Sequence, residues 1–106
     1  MEGEMLKGHL DTIVLAALEA GSAHGYAIIE EIKRRSDGAF DLPEGTIYPA
    51  LHRLEEMGLL TSTWSTATGR RRRVYSLTKR GRRALAERRS RWTGFARAVE
   101  AAVGSG

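Results

Sequence analysis

The sequence predicts a mainly α-helical fold carrying a small two-stranded β wing, and three observations lead there. Apolar residues recur at intervals of three and four over Met5–Ala20, His24–Arg35 and the stretch after Thr46, the period of a helix with a buried face. Only Leu59–Ser65 and Arg73–Leu77 are rich enough in Thr, Val, Tyr and Trp to read as strands, with Thr66–Arg71 between them as a hairpin tip. From Lys79 to Val103 a narrow apolar seam then runs along a helix of about 37 Å, longer than so small a domain can cover.

At 106 residues the chain is one small domain, with a core that is thin unless a second copy completes it. There are no cysteines, which excludes a disulfide framework and a thiolate metal site. No run of 18 apolar residues exists, and Met1–Met5 lacks the pattern of a signal peptide, so the expected location is the cytoplasm, away from membranes. The net charge of +4 hides a division: residues 1–69 carry 5 Lys+Arg against 11 Asp+Glu, and residues 70–106 carry 12 against 2. Such asymmetry points to a polyanion engaged by part of the molecule.

In the first helix Leu6, Leu10, Ile13, Val14, Ala17 and Leu18 form a wide apolar arc, and Gly21 is the expected stop. The second places Tyr26, Ile29 and Ile32 on one stripe. Gly25 in its first turn either lets a phosphate approach the free backbone N–H groups or is simply a turn residue. Ser36–Ala39 is turn chemistry.

The third helix buries Ile47, Leu51 and Leu54 and turns Gly45, Thr46, Pro49, His52 and Arg53 outward. A buried back with a small, polar front near the N-terminus suits a recognition helix in a DNA major groove. Pro49 is tolerable if Thr46 is the N-cap, because a proline early in the first turn loses no bond. Gly58 ends the helix. Of the four consecutive cations, Arg70 and Arg71 sit at the hairpin tip as phosphate or minor-groove candidates, while Arg72 or Arg73 serves the outer face of the strand. Thr78 caps the last helix, whose seam comprises Leu85, Trp92, Phe95, Ala96, Val99 and Val103. A seam with nothing in its own chain to cover it implies two-fold pairing with a second copy.

Helix, helix, recognition helix, strand, basic wing, strand and long helix is the order of a winged helix-turn-helix. The chain resembles the PadR-like transcriptional regulators through Leu6-Lys7-Gly8, His24-Gly25-Tyr26, Gly45-Thr46-Ile47-Tyr48-Pro49-Ala50-Leu51-His52-Arg53-Leu54-Glu55, Gly58-Leu59, Arg73–Thr78 and Gly81. The resemblance spans about residues 5–103 and implies a homodimeric regulator, usually a repressor, on an inverted-repeat operator. It places Thr46, Tyr48, Pro49, His52 and Arg53 at or near the groove; Tyr48, at the edge of the buried face, meets a phosphate rather than a base. Lys7, Gly25, Tyr26, Arg70, Arg71 and Arg72 complete the candidate DNA contacts. Residues 5–78 are then the DNA-binding unit and 79–103 the dimerisation helix of the short class, with Leu6 and Leu10 joining the seam. In some short members a tryptophan on this helix stacks on flat aromatic drugs, and Trp92 with Phe95 occupies the matching place. Trp92 either stacks on a small aromatic effector, neutral or anionic beside Arg88, Arg89 and Arg91, or fills the dimer core.

No enzyme is expected. His9, His24 and His52 fall on three different helices without a nucleophile or ligand spacing, and neither a cofactor nor a metal is indicated. The rival reading is a winged-helix protein-interaction module without operator specificity.

Overall fold

Each helical period of the sequence folds as a helix in the computed structural model, which describes residue 6 and residues 8–104. The elements run α1 (Leu10–Ala17), β1 (Ala23–His24), α2 (Gly25–Arg35), α3 (Glu44–Glu56), β2 (Leu60–Ser65), β3 (Arg72–Leu77) and α4 (Lys79–Val103). Val14, Leu15 and Leu18 meet Ile28 and Ile32 of α2 and Ile47, Leu51 and Leu54 of α3, all at most 2% exposed. Leu60 and Tyr75 close this core from the sheet side. Burying one such aliphatic side chain contributes about 1.5–3 kcal/mol, so the three-helix contact is the main source of stability.

Helix α1 is shorter than its periodicity suggests. After Ala17 the N–H groups of Leu18 and Glu19 donate to Leu15 and Ala16, at 3.1 Å each, a tightened i→i+3 turn that ends the helix. Gly21, with φ 159, is merely extended and is not the stop. The expected start at Met5 lies outside the described residues.

Helix α2 starts where His24 Nδ1 accepts the Ala27 N–H at 3.3 Å, a side-chain N-cap. Its buried face is Gly25, Ile28, Ile29 and Ile32, and Tyr26 is 56% exposed. Tyr26 therefore leaves the stripe assigned to it, since the buried arc is centred on Ile28 and Ile32.

Helix α3 begins at Glu44 rather than Thr46. The Pro43 carbonyl is the cap acceptor, taking N–H bonds from Thr46 at 3.0 Å and Ile47 at 3.1 Å. Pro49 thus lies inside the helix, and its ring leaves the Gly45 carbonyl without a donor one turn on. The position tolerates this because Gly45 and Pro49 are both exposed, where water can serve the carbonyl. At the other end Gly58 takes φ 78, Leu59 N–H donates to Leu54 and Gly58 N–H to Glu55, both at 3.0 Å. That pair of bonds is a Schellman motif, which only a residue at ease in the left-handed region closes without strain.

The sheet has three strands, in the order β1-β3-β2 and antiparallel, one more than the predicted wing. Leu60 faces Leu77 and Ser65 faces Arg72 across the hairpin, while Ala23 faces Tyr75 and His24 faces Val74. Two residues of β1 carry no alternation to read, and they become a strand only through β3.

Thr78 joins wing to long helix. Its hydroxyl accepts the Gly81 N–H at 3.0 Å, capping α4, and donates to the Gly58 carbonyl at 2.7 Å. Gly81 is buried against the backbone of Leu59, where an added Cβ would lie 3.0 Å from the carbonyl carbon and closer still to its oxygen. Leu85 follows at 2% exposure, in the core of its own chain. It was expected on the dimer seam; one turn past the anchored Gly81, it is covered within its own chain instead. Beyond it Arg88, Arg89 and Trp92 still meet Asp11, Glu19 and His9 along one side, while Trp92, Phe95, Val99 and Val103 are exposed in a molecule of 52 × 28 × 21 Å.

Candidate nucleic-acid interface

The front of α3 is as its helical phase requires: Pro49, His52 and Arg53 are exposed and Thr46 is half-buried. Tyr48 is half-buried because its ring lies over Gly25 of α2. A Cβ on Gly25 would stand 2.7 Å from Tyr48 Cε1 and nearer to the hydroxyl end. The group that the bare Gly25 admits is therefore the Tyr48 ring, which locks the two helices of the helix-turn-helix together. Arg53 reaches back to Asp11 of α1, whose other carboxylate oxygen is 3.8 Å from Arg88 of α4.

The four wing arginines separate by strand alternation. Arg70 is exposed at the tip, with no ion pair or hydrogen bond among the described residues. Arg71 lies over the Trp64 ring with its guanidinium carbon 4.2 Å from the centroid, and Arg73 does so at 5.3 Å. Arg73 also donates to Ser62 Oγ at 2.8 Å. Arg72 turns to the β1 side, where its Nη1 is 3.0 Å from His24 Nε2. Of the two residues proposed for the outer face, Arg72 is the one directed away from Trp64.

A concavity of about 570 Å³ collects these groups between the starts of α2 and α3 and the wing, lined by His24, Tyr26, Glu44, Tyr48, Trp64 and Arg70–Arg73. Candidates from three separate stretches thus share one surface, while Thr46, Pro49, His52 and Arg53 lie outside its lining. Lys7 lies outside the described residues. His24, Glu44, Trp64 and Arg73 are not among the DNA contacts expected from the sequence. Counting by twos from Leu60 through Ser62 puts Trp64 on the core-side face of β2, but only the register with β3 sets Arg73 opposite it.

His24 is held below the usual imidazole range, by burial first and by the Arg72 charge second. A neutral imidazole has one acceptor nitrogen, so it can serve the Ala27 N–H or an Arg72 N–H, and the protonated ring serves neither. Elsewhere the cations are more committed. Arg34 and Arg35 hydrogen-bond to Glu31 and pull its carboxyl down to about 2, while Arg89 grips Glu19 with bonds of 3.0 and 2.9 Å.

On the long helix, Trp92 meets His9 edge-on, centroids 4.8 Å apart, and Phe95 at 6.0 Å. Leu6 and Leu10 pack partly on the core and Ala96 is half-buried.

Three packed helices, a small antiparallel sheet, a basic hairpin and a long terminal helix define a winged helix-turn-helix protein. The chain belongs to the transcriptional regulator PadR-like family, whose family model matches residues 14–87. The transcriptional regulator Rv3488 of Mycobacterium tuberculosis is 43% identical over 76 residues, 72% of this chain and 68% of that one. A transcriptional regulator from Clostridium thermocellum superposes with a TM-score of 0.87 at 28% identity, covering 96% of this chain and all of that one (100%). Bacillus subtilis PadR, solved in complex with operator DNA, has a TM-score of 0.65 at 26% identity, over 74% of this chain and 45% of that one. The chain is thus a transcriptional regulator of this family, and no helix among its described residues is long and apolar enough to cross a membrane.

Proposed function

We propose that the protein is a homodimeric, sequence-specific repressor that acts in the cytoplasm on an inverted-repeat operator. The observation that carries this reading is the convergence of Tyr26, Tyr48 and Arg70–Arg72 on one concavity beside the exposed front of α3. Residues 5–78 form the reading unit and residues 79–103 the pairing helix. Thr46, Pro49, His52 and Arg53 face base edges, and the arginines engage phosphates without reading sequence. Two copies pair along Trp92, Phe95, Ala96, Val99 and Val103, setting half-sites roughly 34–36 Å apart. The operator complex of the Bacillus subtilis relative supports the same reading.

A small neutral or anionic aromatic compound binds between the paired Trp92–Phe95 faces. It shifts operator affinity only if it prefers one separation of the two reading units. Quenching of Trp92 fluorescence across a panel of planar dyes, lost in Trp92→Ala, tests this arm.

The main test is binding to a duplex from the protein's own upstream region against a scrambled duplex, at several salt concentrations. Preference for the native duplex at higher salt is expected, and Arg70→Ala or Arg71→Ala should each lower the log–log salt slope by about 0.9. Equal binding to both duplexes overturns operator specificity; no binding to either at low salt favours a protein-interaction module.

A further inference from the structure

Trp64 is a large exposed aromatic, 53% accessible, on a face of the hairpin that begins in the core. Leu60 and Leu77 on that face are buried, Ser62 is half-buried, and by Trp64 the strand has passed beyond the body of the domain. Its indole faces the opening toward Glu44 and Tyr48 of α3.

A continuous set of contacts leads from α3 to this ring. Ser62 Oγ donates to Glu55 of α3 at 2.6 Å and accepts from Arg73 Nε at 2.8 Å. Arg73 lies 5.3 Å from the Trp64 centroid, and Arg71, next to the loop tip, lies at 4.2 Å. Each guanidinium is within the range where the ring quadrupole attracts a cation. An arginine in a hairpin loop otherwise loses much rotamer freedom on gripping a phosphate.

We propose that Trp64 is a positioning residue of the DNA interface: it holds Arg71 and Arg73 toward the recognition helix, so the wing's cations are ordered before DNA arrives. The proposal rests on the DNA-binding reading above. Such pre-ordering raises affinity by lowering the entropy lost on binding, without adding a phosphate contact.

The test compares the wild type, Trp64→Leu and Trp64→Phe on the duplex from the protein's own upstream region at several salt concentrations. Trp64→Leu is expected to bind roughly three- to tenfold more weakly with the salt slope unchanged, because no cation is removed. Trp64→Phe, which keeps a π face, is expected to stay within about twofold. Proton NMR of the free proteins gives a second readout: ring-current shifts of the Arg71 and Arg73 side-chain protons, present in the wild type and lost in Trp64→Leu. Wild-type affinity in Trp64→Leu overturns the proposal, as does an equal loss in both variants, which would assign the indole a direct DNA contact. A wild type that binds no duplex overturns the DNA reading instead, and the NMR shifts then still report whether the stacking exists.

Discussion

Asp11 on α1 pairs with Arg53 on α3, 42 residues further along the chain, and its second oxygen lies 3.8 Å from Arg88 on α4. One carboxylate thereby touches α3 and the long helix together. It also restrains an arginine on the outward face of α3. Asp11→Asn is expected to release Arg53 toward the base edges and to tighten binding to the native duplex roughly three- to tenfold more than to a scrambled one. Because Arg53 is half exposed, folding stability should change by no more than about 1 kcal/mol. Binding titrations on both duplexes, with chemical denaturation alongside, check both figures.

Two buried glycines make opposite demands. At Gly81 an added methyl meets the Leu59 backbone, which cannot move without dismantling the turn between α3 and β2. Gly81→Ala should cost about 3 kcal/mol or more. At Gly25 the obstacle is the Tyr48 ring, a side chain that can swing away, so Gly25→Ala should cost nearer 1 kcal/mol. Urea denaturation measures the two, and Gly25→Ala should cost little in a Tyr48→Ala background, whereas the Leu59 backbone that blocks Gly81 cannot be removed in this way.

The His24 cap makes stability depend on pH. Its folded-state pKa is lowered, so between that value and the ordinary one, 6.5, the unfolded chain binds more protons than the folded chain. The contribution is complete above pH 6.5 and is lost as pH falls through the lowered folded value. Denaturation midpoints from pH 7.5 downward should decline, and His24→Asn, which keeps a cap acceptor without a titrating ring, should flatten the part due to this residue.

Val99 is 41% exposed in the single chain, on the same face as Phe95 and Val103. Val99→Glu should leave the monomer folded and weaken self-association by about 2 kcal/mol, near thirtyfold, as it puts a charge on the face proposed to pair. Sedimentation velocity over a concentration series reads this directly.

The parts of the fold that were legible in the sequence are those fixed by local chemistry. Thr78 and Gly58 each announce a helix end by their own side chain or its absence, and the start of α4 and the end of α3 follow. The α3 start was misplaced because a proline carbonyl, not the Thr46 hydroxyl, receives the first N–H bonds, and any residue can supply a carbonyl. Tyr26 and Leu85 show the other limit. Both lie at helical spacing from apolar neighbours, yet tertiary packing leaves one at 56% exposure and the other at 2%. At the candidate interface the basic tip was plain from four adjacent arginines, but their division between Trp64 and His24 depends on a strand register and on β1. Neither is written in a local pattern.

Helix α4 is anchored through Thr78, Gly81 and Leu85 and then held by Arg88, Arg89 and Trp92 against Asp11, Glu19 and His9, and the 11 residues after Trp92 continue for about 16 Å. Its free end is a lever arm. A rotation of about 5° at the last of these contacts carries the tip by about 1.4 Å, more than the tolerance of a hydrogen bond. The contacts from Gly81 to Trp92 together therefore set the angular precision of everything attached to the far end, and a looser joint there would blur that geometry even in a chain that still folds.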